Sequence, residues 1–216
     1  MHALLFANGE LTPHTRIPPA DFVIAADGGA RHALSLGIEP TLVIGDFDSL
    51  SEIEIDGLRQ KNIELRQFPP EKDETDLELA LRAALDKGAT HITLVGLLGG
   101  RWDMSLANLL TLAAPQFAAL TCTVLVGDTT LHILNGGSSL TLTGTPGDTV
   151  SAIPLTPTAG ITYEGLAYPL TDAALPFGTP RGVSNEMITS EAAIHLKTGV
   201  LLVTHTPSPT LPKEIE

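Results

Sequence analysis

Over its first 130 residues the chain alternates short apolar runs with segments of helical periodicity, and that alternation leaves few folds open. HALLFAN, FVIAAD (residues 22–27), LVIGD, NIELRQFP, HITLVG and TCTVLVG read as strands. Between them, ARHALSLG carries Ala and Leu at helical spacing and closes on Gly37, a helix-ending residue. Thr75 and Glu78 form a T-x-x-E capping box. Behind it Leu77, Ala80, Leu81, Ala84 and Leu85 fall on one helical face, and Gly88 ends the run. Residues 104–114, MSLANLLTLAA, read as a further helix. Parallel strands need crossover connections, and strands this uniformly apolar are buried on both faces. The expectation for residues 1–130 is therefore an α/β domain with a mostly parallel sheet.

Beyond residue 131 the texture changes, and Gly, Pro, Thr and Ser become frequent. SSLTLTG, TVSAIPL, ITYEGLAYPL, AAIHLKTG and VLLVTH are short alternating runs. They predict an all-β, sandwich-like domain over 131–216. Lys197-Thr198-Gly199 reads as a tight hairpin between two of them. The tail TPSPTLPKEIE is rich in proline and reads as loose.

Charge narrows the partners. Asp and Glu number 25 against 12 Lys and Arg, a formal net charge of −13. A nonspecific nucleic-acid binder rests on basic groups that neutralise phosphates, and docking on an anionic membrane needs the same sign. Both are excluded as expectations, whereas a small phosphate-bearing substrate remains open if a cation screens the carboxylates. The single cysteine, Cys122, forbids an internal disulfide and suits a reducing compartment. MHALLFANGE has no basic start and no long apolar core, so it is not read as a signal peptide. LLTLAAPQFAALTCTVLV is broken by Pro115 and Gln116 and reads as a core helix followed by a core strand, not a membrane span. A cytoplasmic location is expected.

The unusual feature is where the acids fall. Asp27 ends FVIAAD, Asp46 and Asp48 end LVIGDFD, Asp76 opens the helix of the capping box, and Asp103 follows HITLVGLLGGRW just before a helix. In an open parallel sheet, ligands bind at the carboxyl ends of the strands. Taken singly, each Asp is also a cap or turn residue. All five at one rim would repel one another unless a divalent cation joined them. Mg²⁺ takes carboxylate, water and phosphate oxygens. Asp46 and Asp48, at i and i+2, lean to one side if the backbone there is extended. Gly28-Gly29 and Gly99-Gly100 sit beside Asp27 and Asp103, where backbone N–H groups can approach a phosphate. Lys72 and Arg101 are cations within the acidic motifs, able to contact a polyphosphate or to serve as neutralising partners. No G-x-x-x-x-G-K-[ST] loop occurs. Cys122 reads as core, and the seven histidines show no metal-ligand spacing. Zinc hydrolysis and a Ser-His-Asp mechanism are not supported.

In this order the motifs resemble those of the thiamine pyrophosphokinase family. They are Ala26-Asp27-Gly28-Gly29, Gly45-Asp46-Phe47-Asp48-Ser49, Lys72-Asp73-Glu74-Thr75-Asp76 and Gly99-Gly100-Arg101-Trp102-Asp103, with Asn108 in the helix that follows. Gly165-Leu166-Ala167-Tyr168-Pro169-Leu170 and Arg181-Gly182-Val183-Ser184-Asn185-Glu186 match more loosely. Met104 departs from the polar residue usual after the last aspartate. The resemblance implies an α/β domain followed by a β-sandwich domain that binds thiamine and mediates a homodimer. It implies transfer of the terminal pyrophosphoryl group of ATP to the thiamine hydroxyl, with AMP released. It gives the metal to Asp46, Asp48 and Asp76, and the nucleotide to Asp27, Gly28, Gly29, Lys72, Thr75, Gly99, Gly100 and Arg101. Asp27 and Asp103 would otherwise position substrate or take the hydroxyl proton. Tyr168, Ser184 and Asn185 become candidates for holding thiamine. The competing readings are a pyrophosphokinase or phosphohydrolase on another small acceptor, and a nucleotide-binding regulatory module without catalysis.

Overall fold

The computed structural model describes residues 1–13 and 15–209, so residues 210–216 of the proline-rich tail lie outside the described residues. Contacts divide the chain into two compact units, Met1–Gly127 and Asp128–Glu216.

The first unit holds strands β1 (His2–Phe6), β2 (Phe22–Ala26), β3 (Leu42–Gly45), β4 (Glu64–Gln67), β5 (His91–Val95) and β6 (Thr121–Val126). They lie in the order β6-β5-β1-β2-β3-β4, and every pair is parallel. Successive residues of β1, β2 and β3 are buried whichever way they point, as a sheet covered on both faces requires. Four helices accompany the strands: α1 (Gly29–Ser35), α2 (Glu52–Gln60), α3 (Asp76–Asp86) and α4 (Trp102–Leu112). Leu4, Phe6, Ala25 and Val43 pack with Ala30 and Ala33 of α1 and Leu58 of α2. α3 packs on β2 and β3. Cys122 is buried in β6, and burial pushes its thiol up to about 12, so it is an inert core residue. Among the described residues no helix is long and apolar enough to cross a membrane.

Three of these helices depart from the sequence reading. Helix α2 was not expected at all: S-E-I-E-I alternates with a period of two and Gly57 interrupts the run, yet a full capping box starts it. Ser51 N–H donates to Glu54 Oε2 at 2.8 Å while Ser51 Oγ accepts from Glu54 N–H. At α3 only half the expected box forms. Thr75 Oγ1 accepts from Glu78 N–H at 3.2 Å, but the Glu78 carboxylate accepts from Arg82 and Gln116 instead. Helix α4, expected to be core, buries only Ser105 and Leu112 and leaves Trp102, Leu106 and Leu110 exposed on one face.

The second unit is a pair of antiparallel sheets. β7 (Thr129–Asn135), β9 (Thr149–Pro154), β12 (Asn185–Glu186) and β14 (Val200–Thr206) lie in the order β12-β9-β14-β7. β8 (Ser138–Thr143), β10 (Thr158–Glu164), β11 (Ala173–Leu175) and β13 (Glu191–Leu196) lie in the order β11-β10-β13-β8. Leu134, Val150, Leu201 and Val203 of the first sheet share one core with Leu142, Ile161, Tyr163 and Ile194 of the second. Lys197–Gly199 is not the hairpin expected: β13 belongs to one sheet and β14 to the other, so these residues form a corner between sheets. Gly199, at φ +94°, is required there, since a Cβ would stand 2.5 Å from the Pro157 carbonyl oxygen.

Candidate active site at the strand ends

The strand order reverses between β1 and β5, where the connections after two parallel neighbours lead to opposite sides and leave a crevice beyond the strands' carboxyl ends. A cavity of about 660 Å³ opens there. Asn8 and Glu10 follow β1, Asp27 follows β2, Asp46 follows β3, and the loop after β5 brings Gly99 and Gly100.

Asp27, Asp46 and Asp76 each place one carboxylate oxygen within 4.8 Å of the others. Three separate segments make this convergence. Asp27 adopts a left-handed conformation, φ 47°, and its N–H donates to the Ile44 carbonyl at 2.9 Å, which turns the chain at the end of β2. Asp76 is the first residue of α3, where the helix N-terminus favours negative charge. Gly45 makes room between them: an added Cβ would lie 3.0 Å from Asp27 Cβ and 3.2 Å from Asp76 Cγ. Asp27 is buried, and its Oδ1 has no hydrogen-bond partner. A buried carboxylate oxygen left unpartnered is costly without a cation or donor to meet it.

Lys72 supplies the nearby positive charge. Its Nζ stands 3.0 Å from Asp76 Oδ1 and 3.7 Å from Asp46 Oδ2, and its side chain is 11% exposed. Burial works against the Lys72 ammonium, but the Asp76 and Asp46 carboxylates outweigh it and hold the group above the ordinary lysine value. Asp76 is raised, chiefly by burial, with Asp46 and Asp27 adding to the effect and Lys72 opposing it.

The Asp46–Asp48 pair is not extended. Phe47 sits at φ 66°, and Asp46 Oδ1 accepts from Asp48 N–H at 3.1 Å. The two carboxylates therefore part: Asp46 joins the cluster, and Asp48 stands exposed on the cavity wall, accepting from Ser49 Oγ at 3.2 Å. Asp103 is outside the cavity lining. Its carboxylate takes two bonds from Arg101, at 2.6 and 3.2 Å, which hold it below the ordinary carboxylate value. Arg101 itself reaches the lining. The glycine loop is already engaged, since Gly100 N–H donates to Glu10 Oε1 at 3.0 Å and Gly99 N–H to Ser105 Oγ at 3.1 Å. Gly28 and Gly29 serve close packing: a Cβ on Gly28 would collide with the Asn8 side chain, and one on Gly29 with the Phe6 carbonyl. Thr75 caps α3 and lines the cavity. Asn8 and Glu10 are not legible in the sequence as site residues, because nothing near them in the chain marks a single polar residue after β1; Ser49, within the Gly45–Ser49 motif, has no role assigned from sequence. Asn108 lines the cavity and donates to the Leu97 carbonyl at 2.9 Å.

The second unit has its own cavity, about 450 Å³, lined by Tyr163, Tyr168, Arg181, Ser184 and Asn185. Tyr168 is 69% exposed, yet its backbone is clamped. Asn185 Oδ1 accepts from Tyr168 N–H, and Asn185 Nδ2 donates to the Tyr168 carbonyl, both at 2.9 Å. Asn185 Oδ1 also accepts from Glu186 N–H, so a buried amide is spent on holding a loop. Ser184, at φ 60°, donates its N–H to Ser151 Oγ at 3.0 Å. The phenol oxygen of Tyr163 is buried without a hydrogen-bond partner, and burial pushes that group up to about 12.

Comparison with known proteins bears on the family and the fold. The family model "Thiamin pyrophosphokinase, catalytic domain" matches residues 14–124, and "Thiamin pyrophosphokinase, vitamin B1 binding domain" matches residues 137–201. A thiamine pyrophosphokinase of Bacillus subtilis is 29% identical over 181 residues, covering 83% of this chain and 85% of the relative. The crystal structure of a thiamin pyrophosphokinase family protein from Enterococcus faecalis superposes with a TM-score of 0.84 at 30% identity, covering 96% of this chain and all of that one. The Bacillus subtilis thiamine pyrophosphokinase structure gives 0.82 at 26% identity, with coverage of 96% and 100%.

Proposed function

The chain belongs to the thiamin pyrophosphokinase family, and from that premise we infer that the carboxylate-lined cavity of the first unit is where ATP gives up its terminal diphosphate. The enzyme is a diphosphokinase that forms thiamine diphosphate in an ATP-dependent reaction. The observation that carries the site assignment is the convergence of Asp27, Asp46 and Asp76, with the Asp27 Oδ1 left unpartnered. This donor set, all hard carboxylate oxygens, fits Mg²⁺. Asp27, Asp46 and Asp76 would hold the ion. Asp48 moves from the ligand set proposed by sequence to the cavity wall. When bound, the ion would withdraw charge from the phosphate oxygens.

The residues of the chain then divide the remaining work. Arg101 reaches the cavity and can meet the triphosphate, and Lys72, outside the cavity lining, stands behind the carboxylates with its ammonium on Asp76 and Asp46. The thiamine hydroxyl oxygen forms a bond to the β-phosphorus as the bond between that phosphorus and the α–β bridging oxygen breaks. AMP carries the bridging oxygen away. The hydroxyl proton passes to a carboxylate. We assign that role to Asp48, which lines the cavity, since Asp27, Asp46 and Asp76 are given to the ion and Asp103 to Arg101. Gly99 and Gly100 shape the wall through Glu10 and Ser105, and Gly28 and Gly29 keep α1 close to β1.

Thiamine is the second substrate. The exposed ring of Tyr168, beside Ser184, supports its placement at the cavity of the second unit, with Asn185 acting through Tyr168 as a positioning residue. A ring face also suits a cationic ligand. A homodimer is part of the same reading: the resemblance gives its interface to the second unit, and the apolar face of Trp102, Leu106 and Leu110 left open on α4 supports a contact on the first unit as well. So is a cytoplasmic location, supported by the single cysteine.

The test is to incubate the protein with ATP, Mg²⁺ and thiamine and to separate the nucleotides. AMP and thiamine diphosphate in equal amounts are expected. ADP as the product would instead mean single phosphoryl transfer and would overturn the β-phosphorus assignment.

A further inference from the structure

The ammonium of Lys72 stands against the oxygens that the ion is proposed to use. It is 3.0 Å from Asp76 Oδ1 and 3.7 Å from Asp46 Oδ2, and little of its side chain reaches solvent. Among the described residues no other lysine or arginine is ion-paired with Asp27, Asp46 or Asp76. Arg101 is paired with Asp103, and Arg31 with Glu54. Three carboxylates held within 4.8 Å by three different backbone segments repel one another, and a nearby positive charge lowers that cost whether or not an ion is present.

We propose that Lys72 is a built-in counter-cation that couples metal binding to nucleotide binding. Without ligands its ammonium pairs with Asp76 and Asp46 and offsets one of the cluster's negative charges. A divalent cation arriving alone must approach that ammonium at short range, and it binds weakly. The triphosphate removes the conflict, since it offers Lys72 a new anionic partner and lets the ion take the carboxylates. Metal and nucleotide therefore bind as a pair, each strengthening the other by the same factor. The chain geometry permits this, because Lys72 lies in the loop between β4 and α3 and reaches Asp76 across one helical-turn spacing, with its hold on both carboxylates made only through the flexible tip.

This inference rests on the metal site assigned above, and the experiment separates the two. Mn²⁺ binding is measured by electron paramagnetic resonance, with and without a non-hydrolysable ATP analogue, in the unaltered protein, Lys72→Met and Lys72→Arg. The unaltered protein is expected to bind free Mn²⁺ weakly and to tighten about tenfold or more when the analogue is present, the size expected for one unit charge removed at a few ångströms in a partly solvated site. Lys72→Met should bind free Mn²⁺ about tenfold more tightly than the unaltered protein and lose most of the coupling. Lys72→Arg, which keeps the charge, should retain coupling. Thermal melts give a second readout: in EDTA Lys72→Met melts below the unaltered protein, and saturating Mn²⁺ closes the gap. If Mn²⁺ binds but Lys72→Met matches the unaltered protein in free-ion affinity and coupling, the Lys72 proposal is overturned while the metal site stands. If no Mn²⁺ binds even with the analogue, both are overturned.

Discussion

Replacing Asp46 by Asn removes one negative charge and almost no bulk, so it tests the site without testing the fold. Asp46 is one of three acids within 4.8 Å, and its loss relieves repulsion on Asp76, whose carboxyl is already raised. Asp46→Asn is expected to keep its circular-dichroism spectrum and a melting temperature no lower than the parent. Turnover should fall by at least about a hundredfold, in the range seen when one transition-state electrostatic contact is removed. Near-normal turnover would remove Asp46 from the chemistry. Single residues were also where sequence reading succeeded and failed most sharply. The five rim aspartates were identifiable because each ends an apolar run or opens a helix. Which three of them meet depended on Phe47 taking a left-handed conformation and on Arg101 claiming Asp103. Neither event has a local sequence signal strong enough to read.

At the scale of elements, the pieces that present side chains to the cavities are held by a few polar clamps. Asn185 pins both the N–H and the carbonyl of Tyr168, imitating one rung of a sheet. Asn185→Ala should loosen the Tyr168 loop and raise KM for thiamine about tenfold, with kcat changed less than threefold, because the ring is mispositioned and the chemistry lies elsewhere. Equal losses in kcat would assign Asn185 a different role. Asp148 clamps the end of β14 to the turn before β9. Its carboxylate accepts from Ser208 N–H, Thr145 N–H and Oγ1, and His205 Nε2, all between 2.8 and 3.0 Å. Although burial opposes its charge, these donors hold Asp148 well below the ordinary carboxylate value. A depressed folded value contributes stability that is complete above the unfolded aspartate range and is lost as pH falls through it toward the folded value. Asp148→Asn should therefore melt on the order of 5 °C below the parent at pH 7, with the gap narrowing below about pH 4. A gap independent of pH would show that shape, not charge, sets the effect. Strand and helix identities were legible because apolar period and capping residues are local. The exception, α2, carries a period-two pattern that its Ser51–Glu54 capping box and the packing of Leu58 into the first unit's core together override.

For the molecule as a whole, the open face of α4 bears on assembly. Trp102, Leu106 and Leu110 recur every four residues and remain exposed in a single copy. Leu106→Glu would place a charge on this face; sedimentation should then shift from dimer toward monomer, with each unit's circular-dichroism signature retained. A parent protein that sediments as a monomer would refute the assembly. The two-unit plan, parallel α/β followed by antiparallel β, was determined by sequence alone, since strand period, helix period and turn residues act over a few positions. So was the concentration of acids at strand ends. Only tertiary structure decided that Asp27 joins Asp46 and Asp76, that Lys72 pairs with the latter two, that Lys197–Gly199 joins two sheets and not two neighbouring strands, and that α4 is left uncovered. Each of these depends on the meeting of segments far apart in the chain, and the energy of such a meeting is written in no single stretch of residues.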